Sequence, residues 1–144
     1  MININPYLAF PGTCEDAFHY YEQVFNAKIS RLERFSDMPQ QDDLVVPEPF
    51  MNKIMHIALP ISDTAILMGS DGGDEWSPRM TTGNNVTLSV AVDTHEEADR
   101  IFEALSEEGK IAMPMGITFW GEYFGMCTDK FDINWMISSK EKGK

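Results

Sequence analysis

The sequence predicts an α+β fold, with two βαβββ modules paired on a curved mixed sheet, and three observations carry that prediction. The first is a repeated helix start. Thr13-Cys14-Glu15-Asp16 leads into apolar Ala17, Tyr20, Tyr21 and Val24, and Thr94-His95-Glu96-Glu97 leads into Ala98, Ile101, Phe102 and Leu105. Each start has a threonine able to accept a backbone N–H and an acid three residues on, a capping box in the second and its shorter Asp form in the first. Each then places apolar residues at i, i+3, i+4 and i+7, one stripe of a helix. The second observation is the setting: apolar extended runs at 6–10 and 86–92 precede the helices, and Asn26 and Gly109 stop them. The third is that further extended stretches follow in both halves, as in a sheet with helices on one side. Neither module closes a core alone, so the two are expected to build one sheet whose hollow is the working site.

Residues 28–35 read as a strand. The connection 36–52 is rich in acids and prolines, with Asp37, Pro39, Asp42, Asp43, Pro47 and Pro49. Loops beyond about 12–15 residues are uncommon in compact domains and often serve as lids. Val45, Val46, Phe50 and Met51 give this one something to dock with. Residues 53–60 and 64–69 pair as a hairpin across Ile61-Ser62-Asp63. A polar linker follows at 71–84; Trp76 within it is costly to leave wet and is expected on a pocket rim or a partner chain. Strands at 111–119, 123–128 and 133–138 complete the second half, the last two joined by Asp129-Lys130-Phe131-Asp132. The expectation is a single domain over 1–144, with modules at about 1–70 and 84–139.

A chain of 144 residues is long enough for a core without staples. Its 23 acids against 11 bases give a net charge of −12, a field that repels phosphate backbones and anionic lipid. Nucleic acid and membrane are therefore not expected partners. No apolar run approaches the ~20 residues of a membrane span. The start, Met1-Ile2-Asn3-Ile4-Asn5-Pro6, has no basic region and no long apolar stretch and is not expected to act as a secretory signal. Cys14 and Cys127 do not form a disulfide framework or a structural metal pattern. The cytoplasm is the expected location.

Several segments together carry a family resemblance. They are Pro6-Tyr7-Leu8-Ala9-Phe10-Pro11-Gly12, Ala17-Phe18-His19-Tyr20-Tyr21 with Val24-Phe25, Ile54-Met55-His56-Ile57-Ala58-Leu59, and Leu67-Met68-Gly69-Ser70-Asp71. Thr118-Phe119-Trp120-Gly121, Asp129-Lys130-Phe131 and Trp135-Met136-Ile137 complete the set. In order and spacing the chain resembles the vicinal oxygen chelate superfamily of glyoxalase I, extradiol dioxygenases and fosfomycin- and bleomycin-resistance proteins. Within it, the chain is similar to the PhnB-like branch, also labelled demethylubiquinone methyltransferase-like. The resemblance implies the glyoxalase/bleomycin-resistance-like fold, a half-open barrel of paired modules, and a homodimer. Asp132 stands where that family has a turn glycine, a departure expected to strain the turn.

Catalytic members of the superfamily hold a divalent metal through histidines on the first strand of each module and a glutamate on the last. The resemblance places Asn5, Thr87 and Met136 there. An amide, a hydroxyl and a thioether lack the imidazoles and charge such a metal needs, so no cofactor is expected and a divalent metal is disfavoured. His56 shares a strand face with Ile54 and Ala58 and reads either as a buried, hydrogen-bonded histidine or as a pocket donor or general base. His19 and His95 are expected to be solvated. Trp120, Tyr123, Phe124 and Trp135 form an aromatic group. Part of it is packing; the rest reads as a flat apolar wall with Glu122 as its polar handle, and ten methionines suit an adaptable cavity. Cys14, although near a helix start, has no partner and reads as structural. A classical methyltransferase needs a nucleotide-binding α/β sheet, which this element order does not supply.

The resulting expectation is a PhnB-like protein binding a small organic ligand in an apolar cavity. His56 and Glu122 are its candidate catalytic residues, and Trp120, Tyr123, Trp135 and Trp76 its ligand contacts. The alternative is a metal-dependent glyoxalase- or dioxygenase-type enzyme whose displaced site uses His56 with Glu122 or another acid. Turnover stays open at this level.

Overall fold

A computed structural model describes residues 2–39, 46–72 and 80–142. The chain divides into two compact units, Met1–Thr81 and Thr82–Lys144. The first contains β1 (Tyr7–Phe10), α1 (Cys14–Phe25), β2 (Arg31–Arg34), β3 (Ile54–Pro60) and β4 (Ile66–Asp71), in the sheet order β1-β4-β3-β2. The second contains β5 (Leu88–Val92), α2 (His95–Ser106), β6 (Lys110–Ile117), β7 (Glu122–Thr128) and β8 (Asn134–Lys142), in the order β5-β8-β7-β6. In both, the first strand runs parallel to the last and the remaining pairs are antiparallel. The two units are thus the same βαβββ topology, as the repeated helix starts predict.

Both helices form because an apolar stripe finds a sheet face. On α2 the stripe is the expected one: Ala98, Ile101, Phe102 and Leu105 are buried. On α1 it begins a turn earlier, with Cys14, Ala17, Phe18, Tyr21 and Val24 buried. Tyr20 falls at the edge of the stripe, with its ring 5.5 Å from that of Tyr21.

The caps differ more than the sequence suggests. Thr94 Oγ1 accepts the Glu97 N–H at 3.2 Å, the capping bond expected of it. Thr13 makes no such bond. Its place is taken by Asp71 at the end of β4, whose carboxylate accepts the N–H groups of Cys14 and Ile54, both at 2.8 Å. One buried side chain therefore caps α1 and pins β3, a tertiary device that a local motif cannot reveal. At the C-termini, Asn26 takes the left-handed conformation at φ 55°. After α2 that conformation falls on Glu108 (φ 60°) rather than on Gly109. Gly109 is needed for another reason: a Cβ there would collide with the Thr128 carbonyl.

The helix-bearing faces are built around a glycine–isoleucine pair. Gly69 on β4 stands opposite Ile57 on β3, and Gly125 on β7 stands opposite Ile137 on β8. A Cβ on Gly69 would lie 2.9 Å from the Phe18 ring, and one on Gly125 3.0 Å from the Phe102 ring. In each unit a helix phenylalanine sits over a glycine while the fully buried isoleucine fills the space beside it. The glycine is on the last strand of one unit and the third of the other, so the repeat is one of shape rather than of residues.

Bulges alter two faces. The register shift at Glu33/Arg34 pairs Glu33 with His56 and Arg34 with Ile54, leaving Met55 unpaired between them. Ile54 is consequently fully buried with Ile57 and Leu59 instead of sharing a face with His56, which corrects simple alternation along β3. On β6, shifts on both sides of Met113 bring it opposite Met126.

Candidate functional site

Each sheet has one face carrying its helix and one without, and the register decides which candidates stand on the latter. In the first unit, Tyr7 pairs with Met68 and Met68 with Ala58, while Glu33 pairs with His56 two residues along. These side chains share the helix-free face, opposite to Ile57 and Gly69. The Tyr7 hydroxyl lies 3.4 Å from His56 Nδ1, with the rings 5.7 Å apart. On the neighbouring strand β2, the Glu33 carboxylate accepts from Arg31 Nε two residues before it. His56 is half-buried and Tyr7 half-exposed. A phenol, an imidazole and a carboxylate–guanidinium pair thus line one surface, able to donate, accept or relay a proton. Tyr7 and Glu33 escaped the sequence reading, because only pairing across strands brings them to His56.

In the second unit the aromatic group divides. The β6–β7 turn is closed by Thr118: its N–H donates to the Glu122 carbonyl at 2.8 Å, and its carbonyl accepts from Gly121 at 2.9 Å. The Thr118 hydroxyl adds bonds to the Glu122 carbonyl and N–H at 2.9 and 3.1 Å. On this turn Trp120 donates its indole N–H to Glu122 Oε2 at 2.9 Å. The Trp120 ring stands 6.4 Å from Phe124 at 61° and 4.7 Å from Phe119 at 89°. Trp120 is 55% exposed and Phe119 98%. Phe124 pairs with Ser138 and Gly116, and Met126 with Met136 and Met113, on the same helix-free face.

Tyr123 and Trp135 are on the other face. The Tyr123 hydroxyl donates to Asp99 of α2, and its ring stacks on His95 at 4.2 Å. That hydrogen bond, with burial and the Asp99 charge, pushes the phenol up to about 12. Trp135 pairs with Cys127, is 3% exposed, and donates its indole N–H to Asp129 Oδ2 at 2.8 Å. The other oxygen of Asp129 accepts from Phe131 and Ile133 at 2.8 and 3.1 Å, so the tryptophan braces the β7–β8 turn. Strand alternation turns these two rings toward α2, away from Trp120 and Phe124. His56 belongs to the first unit and Glu122 to the second. Trp76 lies outside the described residues, as do 40–45 of the connection read as a lid.

The places where the resemblance puts metal ligands carry a poor donor set. Asn5 Oδ1 is engaged by the Ile66 N–H at 3.1 Å, and Met136 offers a thioether between Met126 and Ser89. Among the described residues no three His, Cys, Asp or Glu side chains converge. These positions do not fit a hard divalent ion. The thiols are no better as nucleophiles: burial, reinforced by the Asp71 and Asp129 charges, pushes Cys14 and Cys127 up, Cys127 to about 11. A polar recess of about 260 Å³ beside the start of α1 is lined by Glu15, Arg34, Lys53 and Asp71. Its groups are engaged with one another or with backbone: Arg34 forks onto Glu15 at 2.8 and 2.9 Å, and Lys53 donates to the Gly12 carbonyl at 3.0 Å.

Comparison with known proteins agrees with the topology. A family model described as 3-demethylubiquinone-9 3-methyltransferase matches residues 2–138. Protein YjdN of Escherichia coli (strain K12) is 33% identical over 141 residues, covering 94% of this chain and 93% of the relative. The crystal structure of protein PA1353 from Pseudomonas aeruginosa is 35% identical, with a TM-score of 0.80 over 96% of this chain and 98% of that one. A Bacillus cereus structure titled as a putative 3-demethylubiquinone-9 3-methyltransferase, PhnB protein, has 24% identity and a TM-score of 0.76 over 96% and 99% of the two chains. The fold is shared with glyoxalase/bleomycin resistance/dioxygenase proteins, at 15% identity and a TM-score of 0.61 in one case.

Proposed function

The chain belongs to the 3-demethylubiquinone-9 3-methyltransferase family, the PhnB-like branch of the vicinal oxygen chelate superfamily, and from that premise we propose that it binds a small organic ligand without a metal. The observation that supports this reading is the helix-free face of β7 and β8, where Phe124, Met126 and Met136 lie together and Trp120 stands over Phe124 with its indole held by Glu122. Aromatic and thioether side chains there supply apolar area and adaptability, and a single carboxylate supplies orientation. Methyl transfer from a nucleotide cofactor is not part of the proposal, because two four-stranded mixed sheets offer no doubly wound nucleotide site. Binding of aromatic compounds by the wild type, weakened by roughly 1–3 kcal/mol in Trp120→Ala, is the expected result. Unchanged affinity in that variant overturns it.

One observation favours a second reading, an enzyme of the lyase or dioxygenase type: the Tyr7–His56–Glu33 group on the first sheet. Elemental analysis separates the two. One Ni, Zn, Mn or Fe per purified chain, lost in His56→Ala, supports the enzyme.

We also propose that the two units are modules of one domain acting as a homodimer in the cytoplasm. Edge strand β6 leaves Ile111, Met113 and Ile117 about half exposed, and pairing across a two-fold axis covers such an edge. Two reduced, buried thiols suit a reducing compartment. No helix among the described residues is long and apolar enough to cross a membrane.

A further inference from the structure

We infer that the ligand group received by the second unit is an organic cation, an alkylammonium in particular, held against the indole of Trp120 beside Phe124 with Glu122 as its counter-charge. The inference deepens the small-molecule reading and rests on it. Three features of the β6–β7 turn point the same way.

The first is shape. The Trp120 and Phe124 rings meet edge to face, 6.4 Å apart and inclined at 61°, and with Trp120 more than half exposed the pair presents aromatic surface at the turn. The ring quadrupole makes each face negative, and a cation within about 6 Å of a centroid is attracted to it, Trp more strongly than Phe. The second is the carboxylate. Glu122 lies between the two rings in sequence and is fixed at the indole edge by the 2.9 Å bond from Trp120 Nε1. That bond uses one carboxylate oxygen at the indole N–H. It also orients the indole, so the ring is placed before a ligand arrives. The third is exposure. Trp120 is 55% and the neighbouring Phe119 98% exposed, at a turn locked by four hydrogen bonds involving Thr118. Large rings held outward on such a turn leave much of their surface to solvent.

Charge selects the ligand class. A carboxylate-bearing or phosphorylated ligand would meet Glu122 and a chain of net charge −12. A bare metal ion would find one carboxylate and two hydrocarbon rings. A methylated ammonium group, weakly hydrated and apolar at its rim, loses little water on binding and gains the exposed aromatic surface and the carboxylate.

The test uses the full-length protein, with choline as the probe and 3,3-dimethylbutan-1-ol as its neutral isostere. The readout is the indole N–H resonance of Trp120 in ¹H–¹⁵N spectra, assigned through Trp120→Phe. Choline is expected to shift that resonance saturably, and the neutral alcohol to bind roughly tenfold more weakly. Glu122→Gln keeps an oxygen for the indole N–H but removes the charge, and is expected to weaken choline by about threefold or more. Equal binding of the alcohol and choline overturns the cation inference while the apolar-ligand reading stands. Choline shifts that leave Trp120 unmoved overturn the placement. If neither probe binds, the inference fails, and binding of aromatic compounds by the wild type then decides the broader reading separately.

Discussion

Replacing Trp135 with phenylalanine separates framework from site more cleanly than any other single change. The indole is 3% exposed and its N–H goes to Asp129, itself 2% exposed. Phenylalanine keeps a ring on the face toward α2 but removes the donor and part of the ring volume. A hydrogen bond to a charged group contributes about 1.5–3 kcal/mol, and leaving its buried partner unsatisfied exacts the upper part of that range. The lost volume adds about 1 kcal/mol where the surroundings relax only in part. Trp135→Phe is therefore expected to lose about 2–4 kcal/mol in urea unfolding followed by far-ultraviolet circular dichroism. Affinity for any ligand seated against Trp120 should stay unchanged. Trp120→Ala supplies the contrast. More than half exposed, and with its own hydrogen bond in solvent, it should lose only about 1–2 kcal/mol of stability. A Trp135→Phe protein of wild-type stability that no longer binds ligand would refute the assignment and make that ring a pocket wall after all.

The caps give a second prediction. Thr94→Ala should cost about 1 kcal/mol of stability, Thr13→Ala almost nothing, and Asp71→Ala the most of the three, because two buried N–H groups then lose their acceptor; equal losses in urea at the two threonines would contradict the structure. At the β7–β8 turn, Asp132 is held at φ 69°, which glycine adopts without strain. Asp132→Gly should add up to about 1 kcal/mol of stability after the entropy cost of glycine, read as a higher urea midpoint, and a lowered midpoint would show that the turn is not strained. His19 bonds Glu22 at 3.1 Å and lies 3.5 Å from Glu15, and the Glu22 bond is the main cause raising its pKa above the usual histidine value. Its small contribution to stability is complete below that usual value and is lost as pH rises through the folded one. An NMR titration should find His19 above the usual histidine range, and Glu22→Gln should bring it down; an unchanged midpoint in the variant would reject the pair as the cause.

Local chemistry made most of the elements readable. Threonine–acid starts, Asn26, and stripes at helical spacing report on contacts within one or two turns, and the structure reproduces α1, α2 and the strands around them. What sequence could not supply is anything decided across strands. Asp71 caps α1 from the far end of β4. The bulge at Met55 buries Ile54 and leaves His56 beside Glu33 and Tyr7. The aromatic group Trp120, Tyr123, Phe124 and Trp135 is one patch by composition and two by register, because Tyr123 and Phe124 are adjacent and must point to opposite faces.

That division bears on how a small fold can keep its framework while its site changes. In the second unit the helix side commits Trp135, Asp129 and Tyr123 to bracing a turn and a helix, each with a buried or ring-stacked partner. The helix-free side presents methionines paired across β6, β7 and β8 and rings mounted on a turn that Thr118 closes by itself. Substitution at Met113, Met136 or Trp120 therefore removes area without orphaning a buried polar group, whereas substitution at Trp135 or Asp129 cannot avoid doing so. The position where the resemblance expects a metal-binding glutamate falls on the permissive side, at Met136. Replacing a charged ligand there with a thioether leaves both the turn and the helix packing intact, so the sheet can lose a metal site and keep its fold. Family membership thus fixes the architecture of this chain, and the site proposed at Trp120, Glu122 and Phe124 rests on its own residues rather than on the family.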